Sequence, residues 1–223
     1  MLACFPACTP EALVDIVNPD IDRYLHELAN PQDPVLREME LLAAERSFPI
    51  VGPQVGRMLE LLARAVSARR IIELGSGFGY SAYWFAKAVG PGGEVVLTER
   101  SEEQAAEAAA FLERGQLAGR VRIEVGDALE IVDRIGGEFD IVFNDVDKER
   151  YPAVLEKAAA ALRPGGLFIS DNMLWFGTVL EASPDEASTR GVQELTRRLY
   201  DSDDFQTVLV PLRDGVTVSI YGS

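Results

Sequence analysis

From residue 71 onward the apolar positions follow two alternating rhythms. Short, largely apolar runs at 71–74, 94–98, 121–125, 139–144 and 166–170 suit strands of a covered sheet. Between them, residues 81–89, 102–116, 128–135 and 151–162 carry apolar side chains three and four apart, the spacing of a helix with one buried side. Strand alternating with helix predicts an α/β, doubly wound, Rossmann-like sheet. The ending differs: a helix over 193–201 precedes two strands, 205–211 and 215–221, joined by Leu212-Arg213-Asp214-Gly215, which reads as a hairpin. Seven strands result, mostly parallel, with an antiparallel strand near the C-terminus. Ahead of the sheet lie amphipathic helices over 20–29 and 34–46, broken by Asn30-Pro31-Gln32-Asp33. A loop at Phe48-Pro49-Ile50-Val51-Gly52-Pro53 leads to a third helix, 54–65, with Val55, Met58, Leu59, Leu61 and Leu62 available for burial. A single domain is expected, residues 1–48 forming a helical cap and 49–223 the core.

The first strand runs into Gly75-Ser76-Gly77-Phe78-Gly79 and then a helix. Glycines here remove side chains where the backbone bends and where a ligand could meet main-chain N–H groups. The spacing is not the dinucleotide Gly-x-Gly-x-x-Gly, and Glu73, two residues before the first glycine, would repel a pyrophosphate. A carboxylate there suits a cationic ligand, and Glu99, ending the second strand, is placed to accept hydrogen bonds from ribose hydroxyls. S-adenosylmethionine offers both features. A merely tight α/β turn is the plainer alternative.

Composition narrows the chemistry. The 223 residues are 48% hydrophobic, enough for one substantial core, and the net charge of −15 argues against nucleic acid or an anionic membrane as partner. The N-terminal residues read as neither signal peptide nor membrane span, so a cytoplasmic protein is expected. Cys4 and Cys8, unaccompanied by further metal ligands, read as free thiols. The single histidine, His26, sits far along the chain from every motif and reads as a surface or helix residue. A general base would then be a carboxylate, a lysine or a tyrosine.

In an open parallel sheet the ligand crevice lies beyond the carboxyl ends of the strands. Here those ends are acidic: Glu73, Glu99, Asp127, then Asp145-Val146-Asp147-Lys148, then Asp171-Asn172. Asp145, Asp171 and Asn172 form an all-oxygen set from adjacent strands, suited to magnesium or calcium rather than zinc. A turn or helix cap is the alternative for Asp171-Asn172. Lys148 is placed to act as general base beside such an ion, or else to balance Asp147 and Glu149 in solvent.

These residues resemble the cation-dependent, class I S-adenosylmethionine O-methyltransferases that include catechol and caffeoyl-CoA O-methyltransferases. The resemblance spans about 49–221. Its pieces are Glu73 through Ser81, Glu99, Gly126-Asp127-Ala128, the run from Phe143 to Tyr151, the run from Ser170 to Gly177, and Asp214-Gly215. It implies a homodimer binding S-adenosylmethionine, Mg²⁺ or another divalent ion at Asp145, Asp171 and Asn172, and a small phenolic acceptor with vicinal hydroxyls. Lys148 and Asp145 would be catalytic. Glu73 and Ser81 would hold the methionine end with backbone at Val51 and Gly52, Glu99 the ribose, and Asp127 with Ala128 the adenine. Gly75, Ser76, Gly77, Tyr80, Arg100 and Asp145 would also bind the cofactor. Lys148, Asn172 and Trp175 would contact the acceptor, Trp175 and Phe176 serving as an aromatic platform or simply packing under the 178–190 loop. Asn144, Arg100 and the 194–204 segment depart from the family pattern. Competing functions are a methyltransferase with another small acceptor, a non-catalytic S-adenosylmethionine-binding protein and, more distantly, a dinucleotide oxidoreductase.

Overall fold

The structure is a computed structural model that describes residues 16–30 and 32–222; Cys4 and Cys8 lie outside them. Helices α1 (Pro19–Ala29), α2 (Pro34–Arg46) and α3 (Gly52–Ala65) come first. The sheet then builds as β1 (Arg70–Leu74), α4 (Tyr80–Val89), β2 (Glu94–Glu99), α5 (Glu102–Arg114), β3 (Val121–Val125), α6 (Ala128–Ile135), β4 (Phe139–Asn144), α7 (Tyr151–Ala161) and β5 (Leu162–Ser170). Helix α8 (Ala187–Tyr200) and strands β6 (Phe205–Val210) and β7 (Val216–Tyr221) complete it. The strand order is β3-β2-β1-β4-β5-β7-β6. All pairs are parallel except those of β7, which is antiparallel to both β5 and β6.

Period-2 alternation divides the sheet between two cores. Ile71, Val95, Leu97, Ile141, Phe143 and Ile169 face one side with Leu59, Tyr83 and Phe111. Ile72, Val96, Val142 and Phe168 face the other with Val132, Val154 and Leu195. Both faces are covered, which is why apolar residues at successive positions, rather than alternate ones, mark the inner strands. Side chains cap several helices: Asp33 accepts from Val35 N–H, Ser101 from Gln104 N–H, and Asp127 from Leu129 and Glu130 N–H.

Three expectations are corrected. Strand β5 begins at Leu162, not 166, because Leu162 pairs with Phe139 ahead of a register shift that absorbs Pro164-Gly165-Gly166. Helix α8 begins at Ala187, six residues before the apolar spacing reveals it, because its first turns pack against the Lys148–Arg150 turn. Leu61 is exposed, lying off the buried stripe of α3 set by Val55, Leu59 and Ala63. Asn144, departing from an apolar pattern, is buried and donates through Nδ2 to Ser170 Oγ at 2.7 Å.

Gly191 in α8 leaves no room for a side chain, since an added Cβ would run into the backbone of Lys148 and Glu149. Gly191→Ala should therefore destabilise the protein by about 1–3 kcal/mol through forced backbone shifts. Urea unfolding measures this; unaltered stability would show that α8 does not hold the Lys148 turn.

Candidate active site

The glycine turn after β1 is shaped by close approach. Gly75, Gly77 and Gly79 have φ of 81°, 54° and 87°, a region side chains disfavour. A Cβ on Gly75 would come within 2.7 Å of the Asp145 carbonyl oxygen, and one on Gly79 within 2.8 Å of Ala108 Cβ. The turn is thus pressed between the end of β4 and α5. Side chains from β2 tie it down: Thr98 Oγ1 accepts from Gly75 N–H at 3.1 Å. Glu99 accepts from Gly77 N–H at 2.8 Å and from Ser101 N–H at 2.9 Å.

Glu73 is fully buried, its carboxylate accepting from Ser76 Oγ at 2.6 Å and from Ser81 Oγ. Burial raises its pKa to about 8, against the lowering effect of the two serine hydroxyls. Ser76 and Ser81 line the cavity, whereas Glu73 does not. Tyr80 is likewise buried, and its hydroxyl donates to Glu40 of α2 at 2.6 Å.

After β3, Asp127 is heavily engaged. Beyond capping α6, it takes Arg150 in a bidentate pair at 2.7 and 2.9 Å and Arg100 at 3.0 Å. These guanidiniums, Arg150 foremost, hold its carboxyl well below the usual range. Arg100 also pairs with Asp147 at 3.0 Å, so it joins the ends of β2 and β4 on either side of β1.

The register Asn144↔Ser170 places Asp145 and Asp171 at neighbouring strand ends. Asp171 is 5% exposed, and burial followed by the charge of Asp145 raises its pKa to about 7. Asp145 is raised in the same direction by withdrawal from water, opposed by Lys148. Lys148 Nζ donates to Asp145 Oδ1 at 2.8 Å and lies 5.3 and 5.5 Å from the ring centres of Tyr151 and Trp175. Its side chain is 11% exposed, so it is not the solvated lysine balancing Asp147 and Glu149. Asn172 Nδ2 donates to Asp214 Oδ2 at 3.3 Å. Among the described residues no three or more His, Cys, Asp and Glu side chains gather as a metal cage; the candidate set has two carboxylates and an amide.

A cavity of about 600 Å³ unites these parts: Gly75, Ser76, Gly77, Ser81, Glu99 and Arg100 line one end, Asp145, Lys148, Asp171, Asn172 and Trp175 the other. Val51, Tyr80 and Ala128 also border it. A second cavity of about 1070 Å³ shares Val51, Asp171, Asn172 and Phe176 and extends beneath α1 and α2. Gly52 borders this second space rather than the first. So does His26, an exposed residue of helix α1 as read from sequence, because α1 folds back over the strand ends. Glu40, Arg213 and Asp214, none of them assigned a role from sequence, are also in its wall. Asp214 lay within a recognised motif; Glu40 and Arg213 carried no signal.

Comparison with known proteins decides the family. The O-methyltransferase family profile matches residues 26–220. The chain belongs to the O-methyltransferase family. It is 31% identical over 211 residues to a catechol O-methyltransferase of Niastella koreensis, covering 90% of this chain and 96% of that one. A catechol O-methyltransferase of Mycobacterium tuberculosis is 36% identical over 170 residues, covering 75% of this chain and 77% of the relative. Among solved structures, the O-methyltransferase from Bacillus cereus in complex with SAH superposes with a TM-score of 0.83 at 30% identity, covering 91% of this chain and 97% of that one. No helix among the described residues of this O-methyltransferase is long and apolar enough to cross a membrane.

The buried Glu73 has a consequence for pH. A carboxyl whose folded pKa stands above its unfolded value binds more protons when folded, so its contribution is fully present below about pH 4.5 and lost as pH rises to about 8. Glu73→Gln should remove that part of the slope. Thermal unfolding of the ligand-free protein between pH 5 and 8 checks it; parallel curves for the two proteins would refute a protonated buried Glu73.

Proposed function

We propose that this O-methyltransferase transfers the methyl group of S-adenosylmethionine to one hydroxyl of a small acceptor with vicinal hydroxyls on an aromatic ring, with a divalent cation at Asp145, Asp171 and Asn172. The observation carrying this reading is the continuity of one cavity from the glycine turn and Glu99 to Asp145, Lys148 and Asp171, where it meets a second cavity open to an acceptor. A donor at the turn and an acceptor at the acidic corner would lie side by side, the arrangement that converts a bimolecular transfer into a positioned one.

The residues suit each group. Glu99 keeps lone pairs for ribose hydroxyls while its two oxygens are anchored by backbone N–H groups. Ser76, Ser81 and the Val51 segment border the space left for the methionine end, and Gly126 and Ala128 the adenine side. Arg100 lines that wall, where its ion pair with Asp127 holds it. Asp145, Asp171 and Asn172 offer oxygen donors only, the chemistry hard divalent ions take. Two carboxylates crowded at one corner also favour a positive guest. Such an ion, when bound, would favour the ionised phenol and fix its direction.

The chain supplies the remainder. Lys148 Nζ, close to the rings of Tyr151 and Trp175, would act in its neutral form: the amine takes the proton of the reacting hydroxyl and becomes the ammonium that pairs with Asp145. Trp175 and Phe176, their rings 5.4 Å apart, give an aromatic acceptor a flat neighbour at the junction of the two cavities. A homodimeric, cytoplasmic enzyme belongs to the same reading.

Lys148→Ala should lower kcat on a catechol by about 10²–10⁴-fold while S-adenosylhomocysteine binding, followed by calorimetry, is retained. Full turnover in that variant removes Lys148 from the mechanism. Thorough chelation with EDTA should abolish transfer and added Mg²⁺ restore it; activity that survives chelation would rule out the cation.

A further inference from the structure

Asp214 and Gly215 form the tip of the hairpin between β6 and β7. Because β7 alone is reversed, β6 runs with the parallel strands, and its carboxyl end delivers the hairpin tip to the crevice. There the tip grips the segment after β5. Met173 N–H donates to the Gly215 carbonyl at 2.9 Å and Leu174 N–H to the Asp214 carbonyl at 2.8 Å. The Asp214 side chain accepts from Phe176 N–H at 2.6 Å through Oδ1 and from Asn172 Nδ2 at 3.3 Å through Oδ2. The gripped segment is unusual: Asn172, Trp175 and Phe176 have φ of 55°, 43° and 54°, which non-glycine residues seldom take.

A side-chain amide presents a donor on one side and an acceptor on the other, and the two ends are alike in shape. A carboxylate can only accept, so it can face only the NH₂ group. With Nδ2 on Asp214, Oδ1 is left for another partner. Turned the opposite way, Asn172 would set its oxygen against a carboxylate oxygen.

We propose that Asp214 is a positioning residue that fixes the sense of the Asn172 amide, so that Oδ1 rather than Nδ2 is available to a hard cation, while its second oxygen pins the turn carrying Trp175 and Phe176. This rests on the cation reading above. A residue that merely clamps the turn would need any acceptor for Phe176 N–H. Asp214→Asn separates the two roles: asparagine keeps an oxygen for that bond but can also offer NH₂ to Asn172, so the amide is no longer forced one way.

The test is titration of Mn²⁺ into wild type, D214N, N172A and the double variant, by calorimetry and electron paramagnetic resonance. S-adenosylhomocysteine affinity and Tm serve as controls. D214N is expected to bind Mn²⁺ about 10–100-fold more weakly, the effect of losing a group that orients a ligand, with the controls unmoved. In the N172A background the same change should add nothing, because Asp214 acts through Asn172. Wild-type Mn²⁺ affinity in D214N, or an additive loss in the double variant, overturns the role of Asp214 alone. Failure of wild type to bind Mn²⁺ brings down the cation reading and this inference with it. Should D214N not fold, a wild-type crystal soaked in Mn²⁺ reads the orientation directly. Oδ1 on the ion with Nδ2 on Asp214 is expected; Asp214 ligating the ion itself, or Nδ2 turned elsewhere, refutes it.

Discussion

The parallel register of β4 against β5 is the constraint on which the site depends. Hydrogen bonding pairs Asn144 with Ser170, and one residue later each chain turns out of the sheet at a carboxylate, Asp145 and Asp171. Two acids of like charge would not choose to be neighbours at such a corner; burial first, and the charge of Asp145 second, raise the pKa of Asp171. The backbone ladder and the apolar packing of Val142, Phe143, Phe168 and Ile169 on both faces hold them there. Stability supplied by the core thus sustains an electrostatic arrangement that would otherwise relax.

Around that corner three long-range attachments define the two cavities. Tyr80 at the start of α4, which borders the first cavity, reaches Glu40 of α2 in the wall of the second. Arg213 on the hairpin tip donates to the Ile50 carbonyl at 2.8 Å, and its guanidinium lies where a side chain on Gly52 would have to go. Arg100 links Asp127 to Asp147 across the end of β1. Each joins segments distant in sequence, and each borders space rather than filling it. The single reversed strand makes the second attachment possible, since a seventh strand parallel to the rest would start at the opposite end of the sheet.

Much of this was legible in the residues. The inner strands and helices follow from two periodicities, and the acidic strand ends follow from where those strands stop. Glycines at 75, 77 and 79 announced a sharp turn, although the reason each is required, the Asp145 carbonyl or Ala108 Cβ nearby, lies far along the chain. The first turns of α8 escaped notice because their sequence is polar and their partner is the Lys148–Arg150 turn. His26 looked remote because distance along the chain is a poor guide where a helix folds back over the sheet. Glu73 was legible as an acid near the turn, but not as one buried beneath it against two serines.

Local pattern by itself determined the order of strands and helices, the turn after β1 and the identity of the acids at the strand ends, because each depends on neighbours a few residues away. Only the folded chain decided which of those acids are buried, which are neutralised by arginine, and which stand side by side. It also decided that His26, Glu40, Arg213 and Asp214 belong to the same walls. Burial, pairing and cavity shape are set by contacts between segments that meet only when the sheet closes, and no spacing within one segment encodes them.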